Sequence, residues 1–166
     1  MKKRLIALLL TSLLLFIMPL AVYAGLHFVG TTSFGYGSLK ATADISGFGN
    51  NTDSVVVTLS ATGSNLTAMC QNKGGNRAPG QNPLSVNVNR SQTVAPGRNG
   101  SAYVNFEVSL LPSAVEAGCP NRNWTVTDLY GTLNVTLNAL DTATGSQASQ
   151  SFVCVVDEAH RQVTCS

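Results

Sequence analysis

Charge is scarce in this sequence: Asp, Glu, Lys and Arg together make up 11% of its 166 residues, and histidine occurs only twice. So thin and scattered a supply leaves no basic footprint for nucleic acid and no polybasic stretch for anionic lipid. Aromatic residues reach only 7%, with a single tryptophan, Trp124. The chain has no Gly-x-Ser-x-Gly elbow, no phosphate-binding glycine loop and no His-Glu-x-x-His helix. The hydrolase, nucleotide and zinc-protease chemistries carried by those motifs are therefore not indicated. The four cysteines, Cys70, Cys119, Cys154 and Cys165, lie too far apart for zinc-site spacing.

What is present begins at the N-terminus. Lys2, Lys3 and Arg4 precede an apolar run from Leu5 to Val22, and Val22-Tyr23-Ala24 sets aliphatic and small residues at the −3 and −1 positions before Gly25. The pattern predicts a secretory signal peptide over 1–24, cut after Ala24. A run of that length also suffices for a membrane anchor; the small-residue site decides for cleavage and for a mature chain that leaves the membrane. Beyond residue 24 there remain seven Lys+Arg (10 − 3) against eight Asp+Glu. The remaining 142 residues (166 − 24) suit one domain, 25–166, able to bury roughly two thirds of its unfolded surface.

An even number of cysteines in an oxidising compartment reads as two disulfides. Cys154 and Cys165 flank a turn-like segment, Asp157 to Arg161, and a hairpin centred there sets them opposite each other. That leaves Cys70 with Cys119, each at the junction of a β-type run and a polar Gly/Pro/Asn loop.

Period-two alternation then runs through most of the chain. Leu39, Ala41, Ala43 and Ile45 alternate with polar partners. So do Val55, Val57, Leu59 and Ala61; Leu84, Val86 and Val88; and Leu133, Val135, Leu137 and Ala139. Ala102 to Leu110 is the strongest such run. Gly47–Asn51, Gly63-Ser64-Asn65, Ala95–Gly100 and Asp141–Gly145 read as turns. Pro112 to Gly118 reads as a single helical turn, the one helical candidate beyond the signal. The count is eight or nine short strands, the pattern of a single antiparallel β-sandwich. Trp124 follows the Cys70/Cys119 pair instead of lying between them, so the immunoglobulin likeness extends to architecture, with topology open.

Several stretches together resemble an uncharacterised family of small secreted bacterial β-sandwich proteins. They are Gly25-Leu26-His27-Phe28-Val29-Gly30, the Gly47-Phe48-Gly49-Asn50 turn, Gly74-Gly75-Asn76 with Ala78-Pro79-Gly80-Gln81-Asn82-Pro83, and Ala117-Gly118-Cys119-Pro120-Asn121 before Trp124. The resemblance covers most of the chain up to the last hairpin. It implies a secreted sandwich and brings no catalytic residues with it.

The chemistry-bearing residues favour plain explanations. His160 beside Asp157 and Glu158 reads as a solvated turn, and His27 as strand surface. Asn50 to Asp53 offers oxygen ligands of the kind Ca²⁺ accepts, but one carboxylate is thin for a tight site and Asn serves turns in its own right. Sequons at Asn50, Asn65, Asn89, Asn99, Asn123 and Asn134 read as polar strand faces and turns in a bacterial protein. Phe34, Tyr36, Phe48, Trp124 and Tyr130 are near loops and read as core and strand residues.

The stretch Cys70 to Pro83 is too rich in Gly, Pro and Asn to alternate into a strand, and loops of that length in a compact domain are usually functional or disordered. It is expected to be an ordered loop packed against Cys119–Asn123, anchored by the disulfide, with its cations replaceable at little cost in stability. Lys73, Asn76, Arg77 and Asn82, joined by Arg122 and Trp124, are the candidate binding residues. The expectation is a secreted non-catalytic structural or interaction module, without cofactor or metal, whose partner is a protein or cell-envelope component. A carbohydrate-binding module is the second reading, separable by exposure of Trp124 and Tyr130, and a small extracellular hydrolase using two carboxylates the third.

Overall fold

The computed structural model describes residues 25–34, 38–48, 54–81, 83–157 and 162–166. The signal segment, the Asn50–Asp53 loop, Tyr36, Asn82 and His160 lie outside these. Nine strands follow in order: β1 (His27–Ser33), β2 (Ser38–Ser46), β3 (Val55–Asn72), β4 (Arg77–Pro79), β5 (Leu84–Val94), β6 (Ser101–Ser109), β7 (Trp124–Asp141), β8 (Gln147–Asp157) and β9 (Gln162–Cys165). No helix of the described residues is long and apolar enough to cross a membrane.

The strands form an antiparallel sandwich of a small sheet, β1-β2-β6, and a large one in which β3-β7-β8-β9 run side by side. The free edge of β3 takes two partners in succession, β5 along its first half and β4 along its last turn. The alternating apolar residues of both sheets meet in one core: Leu39, Ala41, Ile45, Val104 and Phe106 from the small sheet, Val55, Val57, Leu59, Leu133, Val135 and Leu137 from the large. One lateral side is closed by the Phe34 and Phe152 rings, edge to face at 5.0 Å, and by the Thr32–Gln150 hydrogen bond.

The two disulfides pair Cys70 with Cys119 and Cys154 with Cys165. Cys154 and Cys165 are register partners on β8 and β9, as the terminal hairpin requires. Neither bond ties one sheet to the other in the immunoglobulin manner: the second lies within the large sheet, and the first joins β3 to the loop before β7.

Two sequence expectations are corrected. Gly63-Ser64-Asn65 does not reverse the chain; β3 continues through it as one strand of 18 residues. Between the pairs Thr62↔Asn134 and Thr67↔Tyr130, β3 uses five steps against four on β7, which is a β-bulge. Asn65 supplies it by adopting φ 59°, a left-handed conformation that Asn tolerates better than most residues. The extra residue shifts the buried set from Val55, Val57, Leu59 and Ala61 to Leu66, Ala68 and Cys70. Without it the second set would face water, because a one-residue slip turns every side chain over.

The second correction concerns the stretch after Cys70. It contains a strand after all: Arg77, Ala78 and Pro79 pair with Gln71, Cys70 and Met69. A three-residue strand needs no long alternation, and proline is tolerated at a sheet edge. Pro112 to Gly118 forms the expected single turn, Ala117 N–H donating to the Ser113 carbonyl at 2.9 Å, and does not extend into a longer helix. Ser113 N–H donates to Glu116 Oε2 at 2.8 Å and Glu116 N–H to Ser113 Oγ at 3.2 Å, a reciprocal capping box. The Gly118 and Cys119 amides then bond back to the Val115 and Ala114 carbonyls and close it.

Candidate functional site

The hairpin Cys70–Gly80 stands at one end of the large sheet. Its turn, Lys73-Gly74-Gly75-Asn76, is exposed throughout. The turn forms because Asn72 can serve it twice: its carbonyl accepts from Gly75 N–H at 3.0 Å and its Oδ1 from Asn76 N–H at 3.0 Å. The Asn72 amide in turn donates to the Asn76 carbonyl.

Below the turn the hairpin is held in three ways. The Cys70–Cys119 disulfide fixes the β3 arm, with Cys70 fully buried. The returning arm is stitched by Gly80 N–H to the Ala68 carbonyl at 2.9 Å and by Gln81 N–H to the Ala117 carbonyl at 2.7 Å. Gly80 comes so near that a Cβ there would lie 2.4 Å from the Ala117 oxygen, so only glycine allows this docking. The returning arm at Gly80 and Gln81 therefore packs against Ala117 and Gly118, just upstream of the Cys119–Asn123 segment expected to receive it. In that segment Asn121 Oδ1 accepts from Asn123 N–H at 2.9 Å, a side-chain cap of the expected kind.

The third hold is electrostatic. Arg77 donates to the Asp128 carboxylate, which is almost wholly buried and also accepts from the Thr127 hydroxyl at 3.0 Å. The Tyr130 side chain and the Asp128 carboxylate both keep the Arg77 guanidinium protonated beyond its already high ordinary pKa. Arg77 is therefore engaged by the fold instead of standing free for a ligand, and its removal would take one partner from the buried Asp128 carboxylate, which keeps the Thr127 hydroxyl. Asp128 was not singled out in the sequence. The signal was there in a lone acid within the β-type stretch Trp124 to Tyr130.

Trp124 and Tyr130 do not form an exposed pair. Tyr130 is 8% exposed and Trp124 is half-buried. They have the same parity, yet a second bulge separates them: Met69 pairs with Asp128 but Cys70 with Val126, leaving Thr127 as an extra residue on β7. Asp128 and Tyr130 consequently keep the outward register of Met69 and Thr67, and Trp124 takes the inward register of Cys70 and Asn72. Phe34 packs on Phe152, and Phe48 packs against the core.

Register also sets the rest of the end. Asn72 pairs with Trp124, so Lys73 and Arg122 leave β3 and enter β7 at the same height. Both are exposed, and neither has an ion-pair partner among the described residues. Lys73, Asn76, Arg122 and Trp124 thus lie at the same end of the sheet, with Arg77 on the outer face beneath them.

Elsewhere, buried Asp141 receives the Ala143 and Thr144 amides at 2.9 and 3.3 Å and shapes the β7–β8 turn. His27 bonds Ser46 Oγ across β1 and β2 at 2.9 Å. No group of three His, Cys, Asp or Glu positioned to hold a metal occurs among the described residues. The fold and site together define a disulfide-stapled β-sandwich with a clamped hairpin at one end. No family model matches the chain and no curated protein matches it.

Proposed function

We propose that this chain is a secreted, non-catalytic interaction module that presents the Cys70–Gly80 hairpin to an extracellular or cell-envelope partner. The observation that carries the reading is the contrast within the hairpin: an exposed Lys73–Asn76 turn on two arms held by a disulfide, a buried-carboxylate ion pair and backbone bonds to Ala68 and Ala117. Rigid presentation reduces the ordering cost of binding, and ordered loops on a rigid scaffold are where recognition concentrates. The buried carboxylates support the non-catalytic part, because Asp128 and Asp141 each serve structural contacts. Secretion rests on the signal pattern over 1–24 together with disulfides, which persist in oxidising compartments.

The test is sedimentation of purified chain 25–166 with cell envelopes of the source organism. The Lys73→Ala/Asn76→Ala/Arg122→Ala variant should keep its Tm and lose binding. Retained binding by that variant refutes the reading, and an exported protein that does not begin at Gly25 refutes the processing.

A further inference from the structure

We infer that two copies of this chain form a closed dimer in which β6 of one pairs antiparallel with β6 of the other, about a two-fold axis through Asn105. The inference does not depend on the hairpin reading above. Its first support is a contrast among the strands that end the two sheets. An end strand offers unpaired N–H and C=O groups to any other strand, and proteins blunt such edges with bulges, proline, inward charges or brevity. Here β4 is three residues long and ends in Pro79, and β9 has four residues. β1 slips register between Val29 and Ser33, with Gly30 at φ 82°. β5 carries exposed Arg90 directly opposite the core residue Leu59, so a charge occupies the inward register. β6 has none of these devices. Its nine residues pair one for one with β2 and include no Gly, Pro, Lys or Arg, and among the described residues no strand pairs with its other edge.

The second support is that this lateral side, opposite the Phe34–Phe152 contact, complements itself. Pairing all nine residues about Asn105 sets Ser101 against Ser109 of the second copy. Inward residues stay inward, Val104 beside Phe106 and Ala102 beside Val108. Glu107, the one charge on the strand, meets Tyr103, which is 61% exposed in the single copy and whose hydroxyl can donate to a carboxylate. Past Ser109 a cleft of about 400 Å³ opens between the sheets, lined by Leu84, Val86, Val88, Leu110 and Leu111 and by Glu116. The two-fold brings the Ala95–Gly100 turn of the second copy to this cleft, because that turn leads directly into Ser101 and is tied to it by Gly97 N–H on the Ser101 carbonyl at 2.7 Å. Ala95 and Pro96 supply apolar surface there. Arg98 is exposed and has no ion-pair partner among the described residues, so it meets Glu116 once at each end of the junction. A second copy thus supplies the strand, the apolar cover and the opposite charge together. The pairing uses up the β6 edge of both copies, so assembly stops at two.

The experiment is sedimentation equilibrium of chain 25–166 over a wide range of concentration up to near-millimolar. A single monomer–dimer equilibrium is expected. Asn105→Lys sets two like charges against each other on the axis and should weaken the dimer by about fivefold or more. Arg98→Glu, which makes both end contacts repulsive, should weaken it to a similar degree, about fivefold. Both residues are exposed, so an unchanged Tm at a concentration where the wild type is monomeric assigns the loss to the junction. Should Asn105→Lys lower that Tm, Arg98→Glu decides alone. A chain that stays monomeric throughout, assembly beyond two copies, or a dimer that Arg98→Glu or a normally folded Asn105→Lys leaves intact overturns the inference. The Lys73→Ala/Asn76→Ala/Arg122→Ala variant should dimerise like the wild type, which keeps failure of the dimer distinct from failure of the hairpin reading; a dimer lost in that variant overturns the β6 junction.

Discussion

Arg77 and Asp128 are 51 residues apart in the chain and are ion-paired on the outer face of the large sheet, Arg77 on edge strand β4 reaching across β3 to Asp128 on β7. The pair joins the hairpin to the strand that follows the Cys119 loop. It is a second fastening beside the disulfide, and it converts a candidate ligand contact into a structural one.

Arg77→Ala should therefore lower the Tm, while Lys73→Ala should not. The Asp128 side chain is only 4% exposed and would lose its charged partner. The Thr127 hydroxyl remains to it and the Arg77 end of the pair is half exposed, so the drop should be small but measurable. Arg77→Lys should recover part of the loss by restoring the charge without the fork geometry. Thermal melts of the three variants decide the matter, and an unchanged Tm in Arg77→Ala contradicts the role given to the pair.

Gly131→Ala should destabilise more than Gly145→Ala. Both glycines have positive φ, 127° and 74°. A Cβ at Gly131 would lie 2.8 Å from Leu66 Cδ2, whereas one at Gly145 meets nothing within 4 Å. Strain alone costs about 1–2 kcal/mol, and overpacking adds about 1–3 kcal/mol. Urea titrations of the two variants give the difference directly; equal losses would show that Leu66 yields freely.

Removing Cys70–Cys119 by paired Ser substitution should cost more than removing Cys154–Cys165. The bonds span 49 and 11 residues, which on the chain-entropy model corresponds to about 4 and about 3 kcal/mol. The first variant also frees one arm of the hairpin, so limited proteolysis should cut it between residues 70 and 83 before any other site. Cleavage elsewhere first would mean that the Ala117 bonds and the Asp128 pair suffice.

Glu116 should contribute a small pH dependence. The Ser113 amide, then its hydroxyl, hold the Glu116 carboxyl below its ordinary 4.5. A depressed carboxyl stabilises the folded state above the unfolded pKa and loses that contribution as pH falls through the folded value. The Tm gap between wild type and Glu116→Gln should thus be open at pH 6 and close progressively below about pH 4.5. A gap that stays constant down to pH 3 would remove Glu116 from the cap.

Alternation alone located the core. Leu39 to Ile45, Val55 to Ala61, Ala102 to Phe106 and Leu133 to Ala139 declare their buried faces, because a strand's side chains alternate with period two whatever the strand pairs with. The Cys154–Cys165 pairing was equally local, since a hairpin around Asp157–Arg161 must bring the two together, and Cys70–Cys119 then followed by elimination. So was the Ser113–Glu116 turn, whose Ser-x-x-Glu spacing and following Gly118 act within six residues.

The bulges at Gly63–Leu66 and Thr127 are a different matter, and the rest of the site depends on them. An extra residue is defined only against a neighbouring strand, so no reading of β3 or β7 alone could show that Leu66 returns to the core, or that Tyr130 and Trp124 occupy opposite faces. The three-residue strand β4 likewise exists because the last turn of β3 offers it an edge. Local chemistry determines which residues prefer to be buried and where the chain can turn; register, set by tertiary pairing, decided which charged and aromatic residues meet.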